Sequence, residues 1–198
     1  MKYIPFAILT GGKSQRFGNN KLNYSINGKK LLQYVIDSLP IENPIYTIGY
    51  PYLNGTIPLK DIIPNIGPIG GIYSALKLID SEKIFILAGD LPLISYPLID
   101  YMVKISNILP FYDVYVPINN GFYEPLFAIY SQKVLPMITQ QITENKYKIS
   151  TLFAKVNLFK IDEKHWRIYD PNGYSFINVN YKKDIEIINE ISKKNKNN

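Results

Sequence analysis

The sequence predicts a single three-layer α/β domain built on a mostly parallel sheet. Short apolar runs alternate with amphipathic stretches along most of the chain, and this alternation is typical of a parallel sheet with helices on both faces. The 198 residues suit one domain. Because 46% of them are hydrophobic and only 19% are charged, the chain has enough apolar content for a complete core.

The strands are predicted from short apolar runs that end at residues unfavourable to a strand. The first run stops at Gly11-Gly12, and the strongly apolar KIFILA run stops at Gly89-Asp90. Asn119-Asn120-Gly121 is a hairpin turn signal between two later runs, whereas prolines interrupt the third. The predicted strands are 6–10, 44–48, 57–63, 83–88, 113–117, 125–130 and 155–161.

The helices are predicted from apolar residues that recur every three or four positions. Leu32, Val35, Ile36 and Leu39 share one face in this way, and the remaining helices follow the same rule. The domain is therefore expected to cover residues 1–192, with a disordered basic tail at 193–198. The predicted helices are 30–39, 70–79, 96–105, 131–144 and 181–192.

Composition excludes several classes of function. The sequence has no cysteine and a single histidine, so disulfides, a cysteine nucleophile and a thiolate metal site are excluded, and a multi-histidine zinc site is disfavoured. No apolar run reaches the roughly 18 residues of a membrane span. The N-terminus lacks a signal-peptide pattern, so we expect a cytoplasmic protein. His165, Trp166 and Arg167 form an aromatic and basic cluster that we interpret as surface or edge packing.

The net charge of +6 comes almost entirely from scattered lysines, because Arg16 and Arg167 are the only arginines. Nucleic-acid surfaces rely on arginine for bidentate contacts, so we interpret the lysines as a solvated surface and expect no nucleic-acid partner. The excess of basic over acidic residues also suits the binding of an anionic small molecule.

The first candidate loop follows the first strand, at the sheet edge where ligands of α/β proteins bind. Gly11-Gly12 can present backbone N–H groups to anionic oxygens, and Lys13, Arg16 and Lys21 add three cations. This combination fits a triphosphate, although the spacing matches neither the P-loop nor the dinucleotide-binding motif. The alternative is a surface turn with ordinary basic residues.

Two further loops are expected at the same edge. Gly67-Pro68-Ile69-Gly70-Gly71 opens a helix, and it is either a tight turn that needs positive φ or a place where the backbone approaches a ligand. Asp90 follows the most apolar strand, where a carboxylate is well placed to hold Mg²⁺ beside phosphates. The alternative for Asp90 is a helix cap or a turn aspartate.

These motifs together resemble those of the molybdenum cofactor guanylyltransferases, within the superfamily of nucleoside-triphosphate transferases. The resemblance extends from Ala7 to about Ile188. Thr10 and Asn20 depart from the alanine and aspartate usual in the family, and Asn20-Lys21-Leu22 is closer to the molybdopterin cytidylyltransferases. The segments that carry the resemblance are 9–21, 27–32, 67–72, 88–94, 124–130 and 176–180.

The resemblance implies a Rossmann-like nucleotidyltransferase domain that transfers GMP from GTP to the terminal phosphate of molybdopterin and releases pyrophosphate. It implies Mg²⁺ as cofactor, GTP and a molybdopterin-type acceptor as substrates, and transient contact with proteins that handle the molybdenum cofactor. Three alternatives stay open: a molybdopterin cytidylyltransferase, another small-molecule nucleotidyltransferase, and a nucleotide-binding protein without turnover.

The resemblance also implies which residues form the site. Asp61 matches the family's guanine-binding carboxylate, with a solvated loop residue as the alternative. Asn178 and Asn180 match the acceptor side, although Asn180 is equally suited to cap the last helix. The catalytic residues implied are Arg16, Lys21 and Asp90, with Asp90 as the metal ligand. The nucleotide-binding residues implied are Leu9, Thr10, Gly11, Gly12, Lys21, Asp61, Gly67, Pro68 and Asp90.

Overall fold

The computed structural model describes residues 3–11, 25–26, 28–49, 52–179 and 184, and every structural statement concerns this part of the chain. The strands are β1 (Phe6–Leu9), β2 (Ser25–Ile26), β3 (Lys29–Lys30), β4 (Ile45–Ile48), β5 (Ile57–Leu59), β6 (Lys83–Ala88), β7 (Val114–Asn119), β8 (Phe122–Tyr123), β9 (Phe127–Ser131) and β10 (Leu158–Ile161). The α-helices are α1 (Leu31–Asp37), α2 (Pro68–Leu78), α3 (Tyr96–Ile108), α4 (Leu135–Thr143), α5 (Ile149–Phe153) and α6 (Glu163–Trp166).

The main sheet has the order β5-β4-β1-β6-β9-β7-β10, with β8 paired to the end of β7. β1 is parallel to both β4 and β6, and its last residue, Leu9, is level with Ile48 and Ala88 at the ends of these two neighbours. β9 runs antiparallel between β6 and β7. The chain first extends the sheet to one side of β1 and then to the other, so a crevice is expected where β1 and β6 end.

Alternate residues of β1 face opposite sides of the sheet, as a strand requires. Phe6 and Ile8 belong to a buried cluster with residues of α1 and α3, whereas Ala7 and Leu9 belong to a second buried cluster with residues of α2, α4 and α5. Two cores, one on each face of the sheet, make up the three layers that the sequence predicts.

Several predicted boundaries are wrong, and the errors have a common physical cause. β2, β3, β8, α5 and α6 were missed because elements of two to five residues are too short to show a periodicity. Ser131 ends β9 and caps a single 3₁₀ turn before α4, so the helix predicted from 131 starts later. Only 57–59 of the third predicted strand pairs, and the strand predicted from 155 begins at Leu158.

The hairpin turn connects a different pair of strands from the predicted one. Asn120 and Gly121 have φ values of 50° and 80°, as a two-residue turn needs. This turn joins β7 to β8, which pairs Asn119 with Phe122. The helix predicted at 181–192 and the tail at 193–198 lie outside the described residues except for residue 184, which is helical. None of the helices in the described segments is long and apolar enough to cross a membrane.

The single tryptophan packs the end of the sheet against the last described segment. Trp166 is fully buried, and its indole Nε1 donates to the carbonyl oxygen of Ile118 at 2.8 Å. Its ring meets Phe176 edge-on, with centroids 4.8 Å apart, and the Arg167 guanidinium lies 4.5 Å from its centroid. The aromatic and basic cluster is therefore edge packing, while His165 is exposed.

Candidate active site

The loops after β1 and β6 are held side by side at the carboxyl edge of the sheet. The backbone N–H of Gly89 donates to the carbonyl oxygen of Leu9 at 3.0 Å, and the N–H of Thr10 donates to the carbonyl oxygen of Ile48 at 3.2 Å. The Thr10 hydroxyl also donates to Ile48, at 2.5 Å, and is buried. The ladder thus continues one residue past each strand, which fixes where Gly11 leaves the sheet.

Asp61 lies next to Gly11, although four strands and a helix, β2 to β5 and α1, separate them in sequence. A Cβ placed on Gly11 would lie 3.6 Å from Asp61 Oδ2. The other oxygen, Oδ1, accepts from the Ser74 hydroxyl at 2.9 Å and from the backbone N–H of Ile63 at 3.2 Å. Asp61 is therefore a half-buried, oriented carboxylate with one oxygen held by the chain and the other facing the first loop, and the solvated-loop alternative does not describe it.

Ser74 is the residue of α2 that holds Asp61 in place, and sequence reasoning missed it. Its side chain is fully buried. Its hydroxyl accepts from the N–H of Ile62 at 2.8 Å and faces two acceptors, Asp61 Oδ1 and the carbonyl oxygen of Gly70 at 2.8 Å. A serine on the apolar face of a helix is an ordinary core residue in a sequence, so nothing in the pattern pointed to it.

The glycines at the start of α2 are explained by packing within the chain. Gly67, which precedes the helix, has a φ of 80°, so the positive-φ alternative holds there. A Cβ on Gly70 would lie 2.4 Å from the carbonyl oxygen of Ile63, and one on Gly71 would lie 3.0 Å from the Leu9 side chain. Both helical glycines let α2 lie against β1 and the Asp61 loop, so they shape the site without needing a ligand.

Asp90 stands in the turn directly after β6 and is half-buried. It is not a helix cap, because α3 is capped by Ser95, whose hydroxyl accepts from the N–H of Leu98 at 3.4 Å. The backbone carbonyl of Asp90 accepts from the N–H of Val179 at 3.0 Å. This bond holds Val179 beside Asp90, one position after Asn178, which is exposed, and the acceptor role of Asn178 stays a prediction.

The donor set at this edge fits a magnesium ion that is shared with substrate. Mg²⁺ is usually held by one or two carboxylates, with substrate phosphates and water completing the octahedron. Asp90 supplies one carboxylate at the carboxyl edge. The described residues contain no group of three or more acidic or histidine side chains that could form a protein-only cage. A site completed by phosphate is therefore the arrangement that Asp90 suits.

The segment before β9 lies beside the end of β6. The backbone N–H of Ala88 donates to Leu126 at 2.9 Å, which ties this segment to the end of β6. Glu124 lies two residues earlier, and its carboxyl accepts from the Asn119 side-chain amide at 3.0 Å. Burial raises the pKa of the Glu124 carboxyl above its usual value, while the Asn119 hydrogen bond opposes this.

Part of the predicted site lies outside the described residues. Gly12, Arg16 and Lys21 of the first loop and Asn180 near the end of the chain are in this group. Their catalytic, nucleotide-binding and acceptor roles stay predictions.

Comparison with protein families identifies the architecture around this edge. Residues 6–158 match the family model described as the MobA-like NTP transferase domain. The chain belongs to this family. The predicted family resemblance is thereby confirmed, and so is the assignment to a nucleotidyltransferase class.

Individual relatives of this MobA-like protein are similar to it over nearly the whole chain. A probable molybdenum cofactor guanylyltransferase of Pyrococcus horikoshii is 34% identical to it, and the match covers 95% of this chain and 100% of the relative. The crystal structure of molybdopterin-guanine dinucleotide biosynthesis protein A from Archaeoglobus fulgidus matches with a TM-score of 0.82 at 22% identity, covering 96% of this chain and 100% of the other.

A more distant structure shows that the fold is shared by enzymes of different specificity. The 4-diphosphocytidyl-2C-methyl-D-erythritol synthase of Anaerococcus prevotii matches with a TM-score of 0.68 at 15% identity, covering 97% of this chain and 96% of the other. The predicted α/β nucleotidyltransferase fold is confirmed. The choice of base and acceptor must therefore be argued from side chains.

Proposed function

We propose that this MobA-like protein transfers GMP from GTP to the terminal phosphate of a molybdopterin-type acceptor and releases pyrophosphate. The observation that carries the proposal is the position of Asp61, whose Oδ2 faces Gly11 of the nucleotide loop while Oδ1 is held by Ser74. The name of the Pyrococcus horikoshii relative, a probable molybdenum cofactor guanylyltransferase, agrees with this activity.

The Asp61 carboxylate favours guanine over other bases. Guanine presents a ring N1–H and an exocyclic amine as neighbouring donors, whereas adenine and cytosine present a ring nitrogen lone pair beside their amine. A carboxylate attracts the first pattern and repels the second. Because Oδ1 already accepts two hydrogen bonds from the chain, Oδ2 is the oxygen that accepts from the base. This argument favours the guanylyltransferase over the cytidylyltransferase alternative.

The chemistry needs positioning more than proton transfer. The attacking group is a phosphate oxygen that is already ionised near neutral pH, so the site needs no general base. An oxygen of the acceptor phosphate forms a bond to the α-phosphorus of GTP while the bond to pyrophosphate breaks. The Gly11 backbone, with Gly12, Arg16 and Lys21 as predicted, holds the triphosphate and offsets the charge on the leaving group.

Asp90 is proposed as the protein ligand of Mg²⁺. The bound ion supplies charge neutralisation on the phosphate oxygens. Asp90 would orient the ion from the end of β6, and Asn178 is proposed on the acceptor side, which is supported by the bond from the N–H of Val179 to the backbone carbonyl oxygen of Asp90. The acceptor phosphate is thus expected between Asp90 and Asn178, away from Asp61.

Two measurements test the proposal. A thermal-shift panel of GTP, CTP, ATP and UTP with Mg²⁺ should show the largest increase in Tm with GTP, because a ligand that binds only the folded state stabilises it. Pyrophosphate should then appear only when GTP and the molybdopterin-type acceptor are both present. A larger shift with CTP would replace the guanylyl assignment by the cytidylyl one. GTP binding without pyrophosphate release would favour a nucleotide-binding protein without turnover.

A further inference from the structure

Glu124 lies at the same edge of the sheet as Asp90. β9 runs antiparallel to β6, so the start of β9 and the end of β6 meet, and the bond from Ala88 N–H to Leu126 joins them. Asp90 follows the end of β6 by two residues and Glu124 precedes Leu126 by two residues, so both lie just beyond the paired part of these two strands, at the same edge of the sheet.

Glu124 also lies on the same face of the sheet as Asn178. Tyr123, the last residue of β8, packs edge-on against Phe153 of α5, with centroids 5.2 Å apart, on the other face of the sheet. Asn119, which donates to Glu124, is four residues after Tyr115 in β7, and Tyr115 belongs to the α1 and α3 core. Phe176 and Val179, on either side of Asn178, belong to this same core.

The carboxyl of Glu124 is suited to a ligand with hydrogen-bond donors. Within the part of the chain that the structure describes, it takes one hydrogen bond, from Asn119, and makes no ion pair. A half-buried carboxylate with a single neutral donor is incompletely compensated for lost hydration, which is the cause of its raised pKa. One of its oxygens is therefore available to external N–H groups.

We propose that Glu124 binds the pterin ring of the acceptor. This inference rests on the proposed function, in which the acceptor is a molybdopterin. The 2-amino-4-oxopyrimidine ring of a pterin carries a ring N–H beside an exocyclic amine, the same pair of donors that guanine presents to Asp61. With the acceptor phosphate at Asp90, the pterin extends along the Asn178 face towards Glu124. Two carboxylates on opposite sides of Asp90 then bind the two heterocycles of the product.

The simplest alternative is that the Asn119–Glu124 bond only stabilises the turn between β8 and β9. That bond spans the chain from 119 to 124, and the turn is also fixed by the backbone N–H of Glu124, which donates to Pro117 at 2.9 Å. A purely structural role predicts that loss of Glu124 lowers Tm and weakens all ligands alike. A pterin-binding role predicts a loss that depends on the exocyclic amine of the ligand.

The test compares a phosphorylated pterin, 6-hydroxymethylpterin monophosphate, with its lumazine counterpart, in which an oxo group replaces the 2-amine. Binding is measured by the intrinsic fluorescence of the pteridine, with Mg²⁺ present. Wild-type protein should bind the pterin more tightly than the lumazine by about tenfold or more, because a polar group left unpaired is costly. This comparison needs no variant and is unaffected by folding defects.

Glu124→Gln, which conserves volume, should lower pterin affinity about tenfold, should lower lumazine affinity by a smaller factor because lumazine keeps only the ring N–H, and should leave the GTP thermal shift at its wild-type value. Glu144→Gln is the matched control, since Glu144 is an acidic residue that pairs with Lys146 at the end of α4. Equal wild-type affinities for pterin and lumazine, or a Glu124→Gln variant that keeps the preference, would overturn the inference. Absence of any GTP shift in the wild type would instead overturn the proposed function.

Discussion

The hydroxyl of Ser74 lies 2.9 Å from Oδ1 of Asp61, and this contact gives the two oxygens of one carboxylate different tasks. Oδ1 is occupied by Ser74 and by the N–H of Ile63, while Oδ2 faces Gly11. The orientation of the proposed base-recognition group therefore depends on a side chain of α2.

Ser74→Ala should raise the KM for GTP and narrow the preference for GTP over ATP, with kcat changed little. The variant loses the hydroxyl that orients Asp61 and leaves the N–H of Ile62 without its acceptor, at a cost of about 1–2 kcal/mol in the free energy of unfolding. Steady-state kinetics with GTP and with ATP measure the changes in KM and kcat separately. Ser106→Ala is the control, because Ser106 is equally buried but donates to its own helix at Val103. Equal nucleotide preference in both variants would contradict a positioning role.

Asp61→Ala should remove most of the base preference. Loss of a paired carboxylate is expected to cost on the order of 1–3 kcal/mol in kcat/KM for GTP, while ATP is affected little, because its ring nitrogen is not a donor. An NTP panel at fixed Mg²⁺ checks this. Asp100→Ala removes a carboxylate of α3 that pairs with Lys104, and it should leave the preference among the four nucleoside triphosphates unchanged. If Asp61→Ala keeps the preference for GTP, the base is recognised by backbone groups and not by the Asp61 carboxylate.

Asp90→Asn should abolish most of the activity and preserve the fold. The substitution conserves side-chain volume and leaves the backbone bond from Val179 to Asp90 intact, so Tm should change little. An amide is a weaker ligand for Mg²⁺ than a carboxylate, so the Mg²⁺ concentration needed for half-maximal activity should rise. Transfer at the wild-type rate throughout a Mg²⁺ titration would show that Asp90 is not the metal ligand.

Lys21→Ala should lower kcat by orders of magnitude with little change in Tm, because a point charge near the leaving pyrophosphate is lost. Lys21→Arg should restore activity only in part. Lys29→Ala is the control, since Lys29 pairs with Asp37 and lies 4.4 Å from the ring centroid of Tyr34. Similar turnover in Lys21→Ala and Lys29→Ala would show that the glycine loop does not bind the triphosphate.

Gly70→Ala should destabilise the protein more than Gly71→Ala does. A Cβ on Gly70 would meet a backbone oxygen at 2.4 Å, and backbone cannot move as cheaply as the Leu9 side chain that Gly71 faces at 3.0 Å. Overpacking of this kind costs about 1–3 kcal/mol. Chemical denaturation of the two variants gives the order directly, and an equal or reversed order would contradict the close approach of α2 to the Asp61 loop.

The long elements were predictable because their burial shows in the sequence. KIFILA is a continuous apolar run and α1 has apolar residues at helical spacing, so β6 and α1 were placed within a few residues. The contact between Asp61 and Gly11 has no such signal, since it depends on how β4, β5 and α2 pack. Family resemblance supplied Asp61 and drew attention to segment 124–130, which begins at Glu124, whereas Ser74 was missed because a buried helical serine is common in any fold.

The burial of Trp166 gives this protein an internal optical probe. It is the only tryptophan in the sequence, so its emission comes from one place. That place touches Ile118 at the end of β7 and Phe176 just before Asn178, the two segments that carry the proposed pterin contacts. Asp61 packs with α2, whose residues belong to the core on the other face of the sheet. Acceptor binding should therefore change the tryptophan emission, while GTP alone should leave it nearly constant. Intrinsic fluorescence can thus follow acceptor binding separately from GTP binding, without an added label.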